Sequence, residues 1–339
     1  IAAVQLARGG DQIGAVIARQ GMKDKSGASV MDAQTQVTSV HGHTVLDLAL
    51  QPLEAMFALP LVHEIADAND RALLDVAVAA EVNLVGDPIL VATDAARAGG
   101  NAPNAIMAVA AGITGQHRLE RALACAQALI ELFAKSGLRD GRDEGFDLSR
   151  IQIDDATRRL FLATADEADD PRPEAMLEAI AARGGRSVFL NFLMGLGARV
   201  SRDAILAAIT TTIAWGPLVR KRISRLTAGT LPWYLRLYGV MVGATIPGQH
   251  HQPGSLWGIP RAERFQDWTM ADLCCLAMTG KRPAPNEALY IQILIGLLIS
   301  NGPGAISAQG AKGAVAADGP QTPERVQINK AMMGFLTHS

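Results

Sequence analysis

The stretch NEALYIQILIGLLISNGPGAISAQGAKGAVAADG, from Asn286 to Gly319, constrains the fold more than any other part of the chain. It opens on a helix-starting Asn and runs apolar, interrupted by Gln292, as far as Asn301-Gly302-Pro303-Gly304. It then restarts as a small-residue segment from Ala305 to Ala317. Pro303 and the glycines end the first helix, and a Gly- and Ala-rich second helix lets its neighbours approach closely. The pattern predicts a buried helix, a sharp polar turn and a small-residue helix. That arrangement sets the turn residues in a protected interior, where donors for chemistry on a carbonyl belong.

The rest of the chain reads the same way. Few stretches alternate with period two, most carry the three-to-four spacing of helices, and aromatic residues make up only 4% of the 339 residues. The fold class is all-α. That length allows one large or two ordinary domains with a sizeable core. A formal net charge of -2 gives no support to nucleic-acid binding. The longest apolar run is about a dozen residues, short of the ~20 that span a bilayer, so no membrane association is expected. Cys125, Cys274 and Cys275 are too few and too poorly spaced for a disulfide framework. They suit small core positions in a reducing cytoplasm. The chain begins at Ile1 and stops at Ser339 inside a helical pattern, which reads as an interior piece of a longer protein.

A second segment parallels the first. Setting Pro88 on Pro303 aligns RALLDVAVAAEVNLVGDPILVATDAARAGGN with the stretch above, so that Thr93 falls on Ala308, Asp94 on Gln309 and Arg97 on Lys312. This reads as an internal repeat about two hundred residues apart. The first unit then runs from 1 to 250, with a charged, turn-rich region near 139–200 as its smaller subdomain. The second opens at 251 and is incomplete at 339.

These segments resemble the citrate synthase superfamily, most closely the citryl-CoA lyase domain of ATP-citrate lyase. Gly302, Pro303 and Ser307 match that family's catalytic turn, whereas Asn301 and Gln309 stand where its histidines should be. The resemblance implies a multi-helical fold with large and small helical subdomains. It implies a reaction that forms or breaks a carbon–carbon bond beside a coenzyme A thioester, with a small carboxylate or acyl-CoA as substrate and no metal. It also implies a homodimer, or an internal pseudo-dimer of the tandem units. Asn301, Ser307 and Gln309 would line the pocket of the second unit, Asn301 donating to an oxyanion in place of an imidazole. In the first unit the catalytic histidine position falls on Gly86 or Asp87, and the carboxylate position near Arg186-Ser187. Gly115-Gln116-His117-Arg118 stands at the family's second histidine turn, leaving His117 as the best surviving imidazole. The first unit therefore reads as a non-catalytic scaffold or dimerisation partner.

Other polar clusters carry less. Arg220, Lys221, Arg222 and Arg225 form the densest basic patch, and with Lys312 they are candidates for the phosphates of coenzyme A. A solvated helix face is the alternative. His41-Gly42-His43 has the spacing of a metal pair without a third ligand nearby, and otherwise reads as a surface turn within VTSVHGH. QHHQPG, from Gln249 to Gly254, reads as a linker. Ser201 is placed to cap a helix, with Asp203 in its first turn.

Overall fold

A computed structural model describes residues 28–115, 117–300, 310–314 and 324–337. It is 65% helix and 6% strand, so the all-α expectation holds at the level of class. A three-stranded antiparallel meander, β1 (Ser29–Met31), β2 (Thr38–Val40) and β3 (His43–Thr44), comes first. Short α1 (Val45–Leu48) follows, then α2 (Leu53–Val62), α3 (Ala68–Glu81), α4 (Pro88–Ala98), α5 (Pro103–Ile113) and α6 (His117–Phe133). The charged region supplies only α7 (Asp155–Phe161), α8 (Arg172–Ala182) and α9 (Val188–Met194). Two long helices, α10 (Arg202–Val219) and α11 (Arg225–Thr245), cross the centre.

The order of elements then begins again. A second meander, β4 (His251–Gln252), β5 (Ser255–Leu256) and β6 (Ile259–Pro260), leads into α12 (Arg261–Asp267), α13 (Met270–Thr279) and α14 (Pro285–Leu298). Val45 steps to Arg261, Leu53 to Met270 and Ala68 to Pro285, each a shift of about 216 residues. After residues 310–314, which are helical, α15 (Glu324–Thr337) lies against α5. Asn104 donates to the Leu336 carbonyl at 3.0 Å, and Asn329 bridges the Thr114 carbonyl and the Trp233 indole at 2.8 Å each.

Helix ends follow local chemistry. Ser201 caps α10 through Ala204 N–H at 3.1 Å, with Asp203 in the first turn, as the sequence suggests. Ser187 and Ser224 cap α9 and α11 in the same way; each such cap stabilises by about 1 kcal/mol. Helix α10 ends in a Schellman turn: Arg222 N–H donates to Pro217 O at 2.9 Å and Lys221 N–H to Leu218 O at 3.0 Å. Lys221 therefore sits at φ 59°, a conformation glycine adopts more cheaply, by about 1 kcal/mol. The core around α10 is aromatic. Phe133 meets Phe189 edge-on at 4.8 Å and Phe192 at 5.4 Å, and Phe189 meets Trp215 at 5.2 Å. Such pairs add ~0.5–1.5 kcal/mol beyond the burial itself.

Two expectations fail here. QHHQPG is not a linker: it forms the β4–β5 hairpin, and His251 within it is buried. Nor is the apolar run at 286–299 a buried helix. Helix α14 docks through a narrow stripe at Gly296, where a Cβ would press on Ala49 and Met56, while Leu289, Tyr290 and Leu298 are exposed among the described residues. An all-apolar composition does not say which face finds a neighbour; the small residue does.

The two halves are locked by an acidic pair. Glu54 of α2 and Asp75 of α3, both buried, accept the same donor, Met270 N–H at the start of α13, at 2.7 and 3.1 Å. Arg183 bridges Asp75 at 3.0 Å and donates to the Phe265 and Trp268 carbonyls. Burial and the neighbouring Glu54 charge push the Asp75 carboxyl well above its ordinary value. A folded-state value raised in this way means that the fold favours the protonated form. Stability is therefore greatest below the ordinary carboxylate value of 3.8 and is lost as pH rises through the raised one. Glu54→Gln removes the repulsion and keeps the shape. It is expected to raise Tm at pH 8 by roughly 2–4 °C and to flatten the expected decline in Tm between acid and alkaline pH, with calorimetry as the measurement. A lower Tm at both pH values would refute the pairing.

Candidate functional site

The turn between α3 and α4, Val85-Gly86-Asp87-Pro88, stands where the repeat aligns with Gly302-Pro303. Gly86 takes φ 74°, and Asp87 caps α4 by accepting from Ile89 N–H at 2.9 Å. The second meander buttresses the turn. His251 accepts from Leu84 N–H at its Nδ1, so its Nε2 carries the proton and donates to the Gly243 carbonyl, both at 3.1 Å. Burial lowers the imidazole's proton affinity. With both ring nitrogens engaged, His251 holds backbone together and has no free nitrogen for proton transfer.

Behind the turn lies an ionic lattice. Glu81 ends α3 and Arg236 stands midway along α11, each about 1% exposed at the side chain. Arg236 reaches Glu81 through Nε at 3.0 Å and Nη2 at 3.2 Å, and Asp203 through Nη2 at 2.5 Å. Its Nη1 donates to the Arg118 carbonyl at 2.6 Å. Arg202 approaches Glu81 at 3.7 Å, and Arg118 pairs with Asp87. Three carboxylates and three guanidiniums thus share one interior.

Burial alone would raise the Glu81 carboxyl, but Arg202, Arg236 and Arg118 outweigh it and hold the group at about 2. Arg236 is pushed the opposite way: burial disfavours its charge, and Asp203 and Glu81 more than restore it. A carboxylate this acidic is a poor base, because a general base works best with a value near the operating pH. An open groove of about 720 Å³ runs beside the turn past Gly86, Leu90 and Asp94. Its acids are also committed: Asp94 accepts from Gly248 N–H at 3.0 Å and pairs with Arg97.

Among the residues singled out in the sequence, Asn301, Ser307 and Gln309 lie outside the described residues, as do Gly302 and Pro303. His117 begins α6, one residue before the lattice member Arg118, and its side chain is not among those described. Lys312 falls in the helical segment 310–314. Arg186 is exposed, and Ser187 is buried against Thr212 at 2.6 Å, so neither replaces a catalytic acid. His41 stacks on His63 with ring centroids 4.1 Å apart, a face-to-face contact in which the two rings do not converge on a common ion. Among the described residues no three His, Cys, Asp or Glu side chains cluster as metal ligands, and no helix is long and apolar enough to cross a membrane.

The basic patch divides. Arg220 and Arg222 both turn to Glu64, at 2.6 and 2.9 Å, so the two guanidiniums share one carboxylate. Gly216 makes this possible, since a Cβ there would come within 3.0 Å of the folded-back Arg220 guanidinium. Lys221 instead lines a separate cavity with Arg225. Sequence reading missed Glu81, Arg202 and Arg236 as a unit. One signal was available: Arg236 is the lone charge in the apolar run LPWYLRLYGVMVG. No family model, curated protein or solved structure matches the chain.

Proposed function

We propose that the unit ending near residue 250 is the non-catalytic half of a tandem citrate synthase-like protein. It acts as a scaffold that pairs internally with the unit opening at 251. The observation that carries this reading is the ionic lattice. The turn aligned with the catalytic one offers Asp87, already a helix cap and the partner of Arg118, and behind it an acid held at about 2. The scaffold role draws further support from helices α13 and α14, which dock on α1, α2 and α3, and from α15 on α5. Chemistry on a coenzyme A thioester then falls to the second turn, with Asn301, Ser307 and Gln309. What favours this second reading is the repeated meander-and-helix order leading up to Gly302-Pro303.

The test is deuterium exchange at the acetyl methyl group of acetyl-CoA, followed by NMR with the full-length protein. Asp87→Asn is expected to leave the rate unchanged per folded molecule, whereas Asn301→Ala should abolish any exchange the parent shows. Parent protein without exchange also agrees with a scaffold. Exchange that Asp87→Asn removes at unchanged Tm would overturn the proposal.

A further inference from the structure

The repeat can be followed residue by residue where the two halves meet. Helices α2 and α13 are ten residues each, and α3 and α14 fourteen each. Setting Leu53 on Met270 and Ala68 on Pro285 therefore places Met278 on Leu61, Ile291 on Leu74 and Leu298 on Glu81. The unusual backbone positions agree. His63 and Gly280 close α2 and α13 in the left-handed conformation, at φ 62° and 71°, and His41-Gly42 and Trp257-Gly258 repeat a left-handed pair in the two meanders. Contacts between the halves are reciprocal: α12 rests on α3 as α1 rests on α14, and α13 rests on α3 as α2 rests on α14. Such an exchange of equivalent contacts characterises two-fold pairing.

One face breaks the symmetry. In the first half, the groove walled by Leu61, Val62 and Leu74 of α2 and its neighbour α3 is filled by Ile213 of α10 and by Leu231 and Leu235 of α11, which leave about 20 Å³. The equivalent groove between α13 and α14 is open, at about 470 Å³. Met278 on its rim is 60% exposed. Along α14, Tyr290, Leu294 and Leu298 follow four apart on one face, and all three are exposed. Their counterparts Leu73, Ala77 and Glu81 are all buried. In the first half α11 lies along α3, with Leu235 in the groove and Arg236 on Glu81. At the Glu81 place α14 carries Leu298, so the charge that Arg236 answers is absent there.

We propose that the α13–α14 groove is a docking site for a partner helix of the α11 kind. That helix presents aliphatic side chains at i and i+4, as Leu231 and Leu235 do, and carries an apolar residue where α11 has Arg236. The α3–α11 contact defines the shape of the occupant, and Leu298 defines its charge. A guanidinium seated against Leu298 would be desolvated without a carboxylate to offset the cost. The groove offers little to a polar ligand, because its lining carboxylate, Glu287, already accepts from Ala284 N–H at 2.8 Å and pairs with Lys281 at 3.5 Å. This docking rests on the repeat and not on either unit being catalytic.

The experiment is fluorescence anisotropy of a labelled peptide with the sequence of Arg225–Thr245, unaltered or with Arg236→Leu, titrated with the full chain. The Arg236→Leu peptide is expected to bind in the micromolar range, since it must fold as it binds. The unaltered peptide should bind about tenfold more weakly. Met278→Asp in the chain should weaken the Arg236→Leu peptide by about tenfold or more, with Tm unchanged because Met278 is exposed. Leu298→Glu restores an acid at the Glu81 place and should reverse the preference, so that the unaltered peptide binds the tighter. That reversal separates a seated helix from general adhesion of an apolar peptide. No binding of the Arg236→Leu peptide up to millimolar concentration would overturn the proposal. So would equal affinity of the two peptides, or a preference that Leu298→Glu leaves unchanged. Light scattering that shows a dimer dissociated by Met278→Asp, with no peptide bound, would overturn it as well, because the groove would then join two copies of the chain.

Discussion

Glu81→Gln is expected to destabilise the protein by about 3–5 kcal/mol, the range for removing one partner of a buried ion pair. The carboxylate is the acceptor for both Arg236 contacts and the nearest acid to Arg202. Its loss leaves Arg236 with Asp203 as its one carboxylate partner and Arg202 without its nearest acid. The pH dependence identifies the cause. The fold lowers the Glu81 carboxyl from an ordinary 4.5 to about 2. Its contribution is therefore fully present above the ordinary value and disappears as pH falls through about 2. The gap between parent and variant in urea denaturation should be constant from pH 5 to pH 8 and close progressively below pH 4. A gap that stays constant down to pH 3 would mean the variant suffers from shape and not from lost charge. Glu81→Met with Arg236→Met is the complementary measurement. Replacing the pair by apolar groups should recover part of the loss, because the pair's Coulomb energy is offset by the cost of desolvating both ions.

What the sequence made legible was local, and what it hid was remote. Ser201 and Asp203 lie two residues apart and announce a helix start. The hydrophobic order shared over some thirty residues was visible in the sequence, whereas the two three-stranded meanders lie outside the aligned segments and gave no such signal. Pairings across the chain left no such trace. Glu81 meets Arg236 across 155 positions, and Glu64 meets Arg220 across 156. The basic patch thus looked uniform when two of its members share the Glu64 carboxylate. His250 and His251 read as linker residues because Pro253 and Gly254 follow them, yet the same residues make a tight hairpin with φ 79° at Gly254. His251 is fixed between Gly243, eight residues before it, and Leu84, which lies 167 positions away and gives no local signal. The charges around the cavity at Lys221 were legible only in part. Lys221 and Arg225 belonged to a visible run, but Lys135 and Arg139 joined them through the path of α6.

The same lattice depends on how closely α11 approaches the end of α3, and that distance is set by two glycines. Arg236, Gly239 and Gly243 are spaced three and four apart and so share one face of α11. A Cβ at Gly239 would stand 2.6 Å from the Glu81 Cβ, and one at Gly243 would run into the Val82 carbonyl. The first neighbour is a side chain anchored by three arginines, and the second is backbone. Neither can give way cheaply. Gly243→Ala is therefore expected to cost about 3 kcal/mol, at the upper end for overpacking, despite alanine's better helix propensity of about 1 kcal/mol. The damage should extend to His251, whose Nε2 donates to the Gly243 carbonyl, and through it to the turn at Asp87. Hydrogen exchange offers a direct view. Protection at Leu84 N–H should fall in Gly243→Ala before protection in the middle of α10 does. Gly229→Ala on the same helix is the control, because a Cβ there would meet only the Gln127 side chain at 3.4 Å, an ordinary contact. Helix propensity then dominates, and Tm should stay level or rise. If the two variants behave alike, the close approach of α11 to α3 is not what positions Arg236 against Glu81.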